Sequence, residues 1–175
     1  MIALDRARIV ALARAFDRDE GASRWRRGER RLKARLARRR ARGTYLTRAE
    51  LRWVGEWKTP RIRPQIARNS EAGIRGVTAA AFLACADSTR LRLLLGLSGV
   101  GVAVASVVLH FAEPGRYPIY DVRVRAALVR IGVRRRFPPN AAGWAAYASI
   151  LRELAVRYRV SLRTLDKALW QLGAS

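Results

Sequence analysis

The segment LSGVG, residues 97–101, places two glycines around one valine inside an uncharged run that extends from Leu93 to Leu109. Glycine permits a tight turn and the close approach of another molecule, because it has no Cβ. The amides of Gly99, Val100 and Gly101 would then lie free at the start of the next helix, where unpaired N–H groups favour an anion. The pattern predicts a phosphate-binding turn, and an ordinary turn between two core helices is the alternative.

A carboxylate follows this turn. Asp121 ends the segment YPIYD, lies 22 positions after Gly99 and precedes the helical pattern VRVRAALVRI. Aspartate is among the best N-cap residues, so a cap is one explanation for its presence. The turn, the small-residue helix VAVASVVL and the aspartate follow one another in this order along the chain.

These three features resemble, in order and spacing, the helix-hairpin-helix DNA glycosylases, the superfamily that contains endonuclease III, the MutY-type adenine glycosylase and the alkylbase glycosylase fold. That family has a hairpin of the form LPGVG, a buried helix rich in small residues, and an aspartate at the start of a later helix. The resemblance covers roughly residues 47–131. It implies an all-α, two-lobed fold in a single compact unit, residues 1–175. Residues 44–115 would form a helical barrel with the hairpin, and residues 1–43 with 116–175 a second lobe.

The resemblance also implies a reaction at Asp121. Breaking an N-glycosidic bond builds positive charge on the deoxyribose, which a nearby carboxylate stabilises while it orients or deprotonates a water. Two positions depart from the family pattern: Ser98 replaces the usual proline, and Ala103 stands where strand-cleaving members carry a lysine nucleophile. The implied enzyme is therefore a monofunctional DNA glycosylase of base excision repair, a hydrolase without AP-lyase activity, in which Asp121 is catalytic.

The single cysteine limits the cofactors that the chain can hold. Cys85 excludes an internal disulfide, a cysteine-built zinc site and an iron–sulfur cluster held by four thiolates. Within AAAFLACA it is expected to be a small buried hydrophobe. We expect no metal and no cofactor, with a monovalent cation at the hairpin as the one option left open.

A base has to leave the duplex to reach such a carboxylate, which requires apolar surfaces to receive it and a wedge to fill the gap. The candidates for pocket or wedge are Trp53, Trp57, Lys58, Tyr117 and Tyr120. The two tryptophans share one helix face and could equally be core residues. Lys58 and Arg61 could contact phosphates beside the flipped nucleotide or face water. His110 is interpreted as a capping or surface residue.

The charge of the chain predicts a polyanionic partner. The formal net charge is +23, and only three of the 36 basic residues are lysines. Residues 24–42 contain eleven basic residues and one acidic residue, on a helix with a narrow apolar stripe. Arg26, Arg27 and Arg30 are therefore candidates for phosphate contacts that weaken steeply with salt. We expect the protein to be a monomer. Its expected partner is duplex DNA that carries a damaged or modified base.

Helical periodicity runs through the chain without sustained alternation of polar and apolar residues, which predicts an all-α fold. Thr47 and Glu50 form a capping box, which predicts a helix over residues 48–58. Short helices are expected near residues 77–86 and 88–96.

The uncharged run is too short and too interrupted by glycine to cross a bilayer, so no membrane association is expected. The segment MIALDRARIV carries charges where a signal peptide requires apolar residues. The expected location is the cytoplasm, in association with the nucleoid.

Three hypotheses follow from the sequence. The first is the DNA glycosylase described above. The second is a non-catalytic helix-hairpin-helix DNA-binding protein in which Asp121 serves only as a cap. The third is a basic protein associated with RNA or the ribosome, and it rests on charge alone.

Overall fold

A computed structural model describes residues 2–18, 20–39, 44–59 and 63–174, without the side chains of residues 20–26, 38–39 and 63. Over these residues the chain is all-helical and contains no strand, which confirms the predicted all-α class, while the two-lobed helix-hairpin-helix arrangement stays a prediction. The described helices are α1 (Arg6–Arg18), α2 (Glu20–Arg39), α3 (Arg48–Lys58), α4 (Arg63–Ile66), α5 (Glu71–Leu83), α6 (Asp87–Leu95), α7 (Val102–Ala112), α8 (Val122–Arg130), α9 (Ala141–Arg157) and α10 (Leu162–Leu172).

The start of α3 follows from its capping residues. The Thr47 hydroxyl accepts a hydrogen bond from the Glu50 N–H at 3.3 Å, and the Glu50 carboxylate accepts one from the Thr47 N–H at 2.9 Å. The predicted capping box is therefore confirmed, and α3 ends at Lys58 as predicted. This end point matters because it places Lys58 at the last turn of the helix.

The helix predicted near residues 77–86 begins earlier in the structure. The side chain of Ser70 accepts a hydrogen bond from the Gly73 N–H at 3.0 Å, and this cap starts α5 at Glu71. The chain leaves α5 after Leu83, so Cys85 lies exposed in the turn that follows. The interpretation of Cys85 as a buried hydrophobe is therefore wrong.

The uncharged run forms the end of α6, a turn and α7. Helix α7 is the most buried helix described, with every residue from Val104 to Phe111 buried. Helices α2, α3 and α6 pack against it. Within the described residues, no helix is both long enough and apolar enough to cross a membrane.

The C-terminal helix α10 packs against α1, α8 and α9, and its end positions α8. A Cβ on Gly173 would lie 2.0 Å from the Arg123 carbonyl oxygen, so glycine is needed where α10 meets the first turn of α8. At the other end of α8, the Arg130 guanidinium donates to the Leu172 carbonyl at 2.7 Å. These contacts hold both ends of α8 and therefore the residue that precedes it, Asp121.

The buried apolar side chains form one continuous cluster that draws on both predicted lobes. Helix α2, from the predicted second lobe, packs against α1 and also against α7 of the predicted barrel. The division into two lobes stays a prediction.

Candidate active site

The turn between α6 and α7 depends on Gly99. Its φ of 78° lies in the left-handed region, where a side chain would be strained. Asn69, in the loop between α4 and α5, holds the turn in place. Its Oδ1 accepts from the Ser98 N–H at 2.8 Å and its Nδ2 donates to the Ser98 carbonyl at 2.9 Å. The turn is thus fastened on both sides of Ser98.

The exposed backbone of this hairpin lies at its second glycine. Gly101 is the N-cap of α7, has no side-chain cap, and has open space where a Cβ would stand. The Val100 amide is not free as predicted, because it donates to the Leu97 carbonyl at 3.0 Å within the turn. The side chains of Leu97 and Val100 are buried, so the hairpin offers a ligand the backbone around Gly101 and the first turn of α7.

The segment that leads from α7 to Asp121 is held by buried hydrogen bonds. The Tyr120 N–H donates to the Ser106 hydroxyl at 2.8 Å, and the Tyr147 hydroxyl donates to the Ile119 carbonyl at 2.7 Å. Burial raises the pKa of Tyr147 well above its ordinary value, with the charges of Asp166 and Asp121 acting in the same direction. The backbone just before Asp121 is therefore fixed.

Asp121 joins the capping of α8 to an ion pair with α3. Its Oδ1 accepts from the Arg123 N–H at 2.8 Å, which makes it the N-cap as predicted. Its Oδ2 pairs with the ammonium of Lys58, and the two side chains are 15 % and 13 % exposed. The structure thus brings together two predicted site residues that are 63 positions apart. The pair is largely desolvated but still reachable from solvent.

A second carboxyl group, that of Asp166 on α10, lies beside this pair. Its Oδ2 accepts from the Arg163 guanidinium at 2.6 Å, while its Oδ1 is buried without a hydrogen-bond partner among the described residues. Burial raises the pKa of Asp166; the charges of Arg163 and Lys58 oppose this, and that of Asp121 adds to it. Asp166 therefore keeps its proton to a higher pH than an ordinary aspartate.

A third group of ionisable residues connects α2 to α7. The Lys33 ammonium lies 2.5 Å from the Glu29 carboxylate and 3.1 Å from His110 Nε2. His110 is fully buried and its Nδ1 contacts the Tyr117 carbonyl at 2.7 Å. Because a carbonyl can only accept, Nδ1 carries the proton and Nε2 accepts from Lys33. Burial, with the charges of Lys33 and Arg163, lowers the pKa of His110 well below its ordinary value.

The interpretation of His110 as a capping or surface residue is therefore wrong. The residue lies inside α7, and α2 covers it through Lys33, whose own pKa is lowered by burial. Sequence reasoning missed Lys33 as well. The sequence offered no signal for it, because Lys33 lies among the arginines of α2 and its contact with His110 joins positions 77 apart.

We call these residues the ionisable cluster. Its members are Glu29, Lys33, Lys58, His110, Asp121, Arg163 and Asp166. The cluster contains three acidic side chains, three basic side chains and one neutral histidine, which contacts Lys33. Within the described chain, no group of three or more potential ligand side chains is arranged to hold a metal ion.

The predicted aromatic candidates divide into two pairs. Tyr117 and Tyr120 are buried, and their rings pack on Trp144 and on Tyr147 with centroids 5.7 and 5.3 Å apart. Burial raises the pKa of Tyr117 to about 12. Both tyrosines are core residues, which corrects the predicted pocket role, because a buried ring has no face to offer an incoming base.

The tryptophans of α3 are half-buried and contact one ring of α7. The centroids of Trp53 and Trp57 lie 5.8 and 5.3 Å from that of Phe111. Both therefore belong partly to the core, as their shared helix face allowed, and both retain some exposed surface. Trp53 also lines a groove between α2 and α3.

The predicted phosphate contacts lie mainly on α2. Arg27 and Arg30 are exposed, and Arg30 lines the same groove as Trp53. The side chain of Arg26 and the whole of Arg61 lie outside the described residues.

Comparisons with protein-family models, with curated proteins and with solved structures find no match to this chain. The features that bear on function are therefore the turn at Gly99, the Lys58–Asp121 pair and the charge of the surface.

Proposed function

We propose that this protein is a monofunctional DNA glycosylase that flips a damaged or modified base and hydrolyses its N-glycosidic bond. The observation that carries the proposal is the Lys58–Asp121 pair, in which a reachable carboxylate is held at a helix start by its own capping bond. The hairpin with exposed backbone at Gly101, and the two-lobed helix-hairpin-helix fold that the resemblance implies, support the same assignment.

The proposed reaction places the flipped nucleotide with its sugar against Asp121. As the bond between C1′ and the base lengthens, positive charge develops on the deoxyribose and the carboxylate stabilises it. A water oriented by the same carboxylate attacks C1′, and the base leaves with the bonding electron pair and takes up a proton. The products are a free base and an abasic site. No step depends on a metal, and the cation predicted for the hairpin stays a prediction.

Lys58 has a positioning role in this scheme. Its ammonium balances the Asp121 carboxylate in the absence of DNA. A phosphate beside the flipped nucleotide is a competing anion for that ammonium. DNA binding would therefore draw Lys58 away from Oδ2 and leave this oxygen to the sugar.

The test is base release from duplexes that each carry one lesion type, followed by alkali to cleave abasic sites. Asp121→Asn should lower the rate by about a hundredfold or more while the helix cap survives, because asparagine caps as well as aspartate. Asp5→Asn is the matched control, since Asp5 accepts from the Arg8 N–H at 2.7 Å at the start of α1.

Strand breaks that require alkali, from wild type and Asp5→Asn only, would support the proposal. Breaks without alkali would contradict its monofunctional part and would direct attention to Lys58, the amine nearest the carboxylate. Release that is unchanged in Asp121→Asn would refute the role of this residue.

The second candidate is a DNA-binding protein without catalysis. The bond from the Arg123 N–H to Asp121 favours it, because capping alone would explain the residue. In that case no duplex would lose a base, and wild type and Asp121→Asn would bind DNA equally, with the same salt dependence.

A further inference from the structure

A groove of about 700 Å³ lies between α2 and α3. This volume is within the range of sites that enclose small molecules. The lining residues that matter for its chemistry are Gly28, Arg30, Arg31, Arg35, Glu50 and Trp53. None of them takes part in the proposed reaction at Asp121.

The indole of Trp53 is held in place within the groove. A Cβ on Gly28 would lie 2.4 Å from the ring, so the indole packs on bare backbone of α2. On α7, the Phe111 ring packs against it at 5.8 Å between centroids. The ring is therefore fixed before any ligand arrives.

The charges of the groove are positive at its rim. Glu50 pairs with Arg35, which also donates to the Tyr45 carbonyl at 3.2 Å. Arg30 and Arg31 are both exposed. With the charge of Glu50 balanced by Arg35, these two arginines leave the groove with a net positive rim.

A fixed aromatic ring in a groove that exposed arginines also line is suited to binding single-stranded nucleic acid, because each base has a face to stack and each phosphate attracts a cation. Paired bases inside a duplex present no such face. Trp53 precedes Lys58 by five positions on α3, which separates the two positions by about 7.5 Å along the helix axis and about 140° around it. The groove and the Lys58–Asp121 pair therefore lie at different parts of the same helix.

We propose that the groove between α2 and α3 binds an unpaired DNA nucleotide, with its base on Trp53 and its flanking phosphates on Arg30 and Arg31. The inference rests on the proposed function only for the identity of the strand, which is the one that would react at Asp121. Binding in the groove is measured separately from base release.

The test measures binding of a labelled oligothymidylate of about twelve nucleotides, and of the same sequence as a duplex. Trp53→Leu should weaken single-strand binding about tenfold to a hundredfold and change duplex binding less than about twofold. Arg30→Ala with Arg31→Ala should lower the salt slope for the single strand by about 1.4. The matched control is Arg134→Ala with Arg135→Ala, an equal loss of charge at two exposed residues of the loop between α8 and α9.

Gly28→Ala is the second variant for the stacking claim, because it keeps every aromatic ring and charge, while its Cβ would lie 2.4 Å from the indole and forces the ring and α2 apart. It should weaken single-strand binding in the same direction as Trp53→Leu. If either folded variant, checked by circular dichroism, binds the single strand as wild type does, the stacking claim is refuted. An equal loss for single strand and duplex would also overturn it, as would tighter binding of oligouridylate than of oligothymidylate.

The two proposals fail in different ways. If the groove variants lose single-strand binding and wild type releases no base, the groove proposal is supported and the glycosylase proposal is refuted. If wild type releases a base and the groove variants bind the single strand normally, the glycosylase proposal is supported and the groove proposal is refuted.

Discussion

The ionisable cluster and the outer face of α2 contain the same kinds of basic side chain in opposite surroundings. Lys58 and Arg163 are 13 % and 19 % exposed and are paired with carboxylates, whereas Arg27 and Arg30 face solvent. Charges that are out of water interact strongly and are little screened by salt, while exposed charges contribute little to stability. We therefore expect the cluster to govern stability and, under the proposed function, the chemistry, and we expect the outer face of α2 to govern affinity for polyanions.

The largest effect on stability is expected when the ionisable cluster is disrupted. Asp166→Ala should lower the free energy of unfolding by about 3–5 kcal/mol, because it leaves the Arg163 charge buried without its nearest carboxylate. Urea unfolding measures the change. Asp166→Asn keeps a hydrogen-bond acceptor for Arg163, so its free energy of unfolding should fall clearly less than that of Asp166→Ala. If both variants were within about 0.5 kcal/mol of wild type, the cluster would not be structural.

The next effect is a pH dependence of the free energy of unfolding, which His110 is expected to cause. The folded protein holds this histidine neutral with a lowered pKa, whereas the unfolded chain takes up a proton near its ordinary value of about 6.5. The stability that the neutral His110 contributes is therefore fully present above about pH 6.5. Below that pH the free energy of unfolding falls, by up to about 1.4 kcal/mol per pH unit.

The reference for this experiment is His110→Gln, which cannot titrate. The difference in unfolding free energy between the two proteins should narrow as the pH falls. Asp166 has the opposite sign, because its raised pKa stabilises the fold at low pH, but it is common to both proteins and cancels. A difference that does not depend on pH would contradict a neutral, buried His110.

The smallest effect on stability is expected on α2. Arg27→Ala with Arg30→Ala should change the free energy of unfolding by less than about 0.5 kcal/mol, because both side chains are exposed. The same variant should bind duplex DNA more weakly and lower the salt slope by about 0.9 for each phosphate that the protein no longer neutralises. Titrations at several salt concentrations measure the slope. A large drop in stability, or an unchanged slope, would remove the distinction between the two regions.

The parts of the site that depend on local chemistry could be predicted from the sequence. The capping box at Thr47 determines where α3 starts, and Lys58 ends that helix as predicted. Asp121 caps α8 through a hydrogen bond to a residue two positions away. Gly99 adopts the left-handed conformation that its turn requires. Each of these features involves a few neighbouring residues, so residue type and order are sufficient.

The contacts between distant segments could not be predicted in this way. Lys33 and His110 are 77 positions apart, and nothing in the charged pattern of α2 distinguishes the lysine that faces α7 from the arginines that face solvent. The burial of His110 depends on α2 covering that part of α7, which helical periodicity does not specify. Tyr120 adjoins Asp121 in the chain, yet its hydroxyl donates to the Phe137 carbonyl at 2.5 Å inside the core.

The scarcity of lysine has a practical consequence for chemical labelling. The chain has three side-chain amines, and those of Lys33 and Lys58 belong to the ionisable cluster, while that of Lys167 pairs with Asp17 at 2.7 Å. Reagents that acylate amines do not modify the arginines that dominate the surface. Acylation of the side-chain amines, measured by mass spectrometry, therefore reports on two positions of the ionisable cluster, with Lys167 as a reference position outside it.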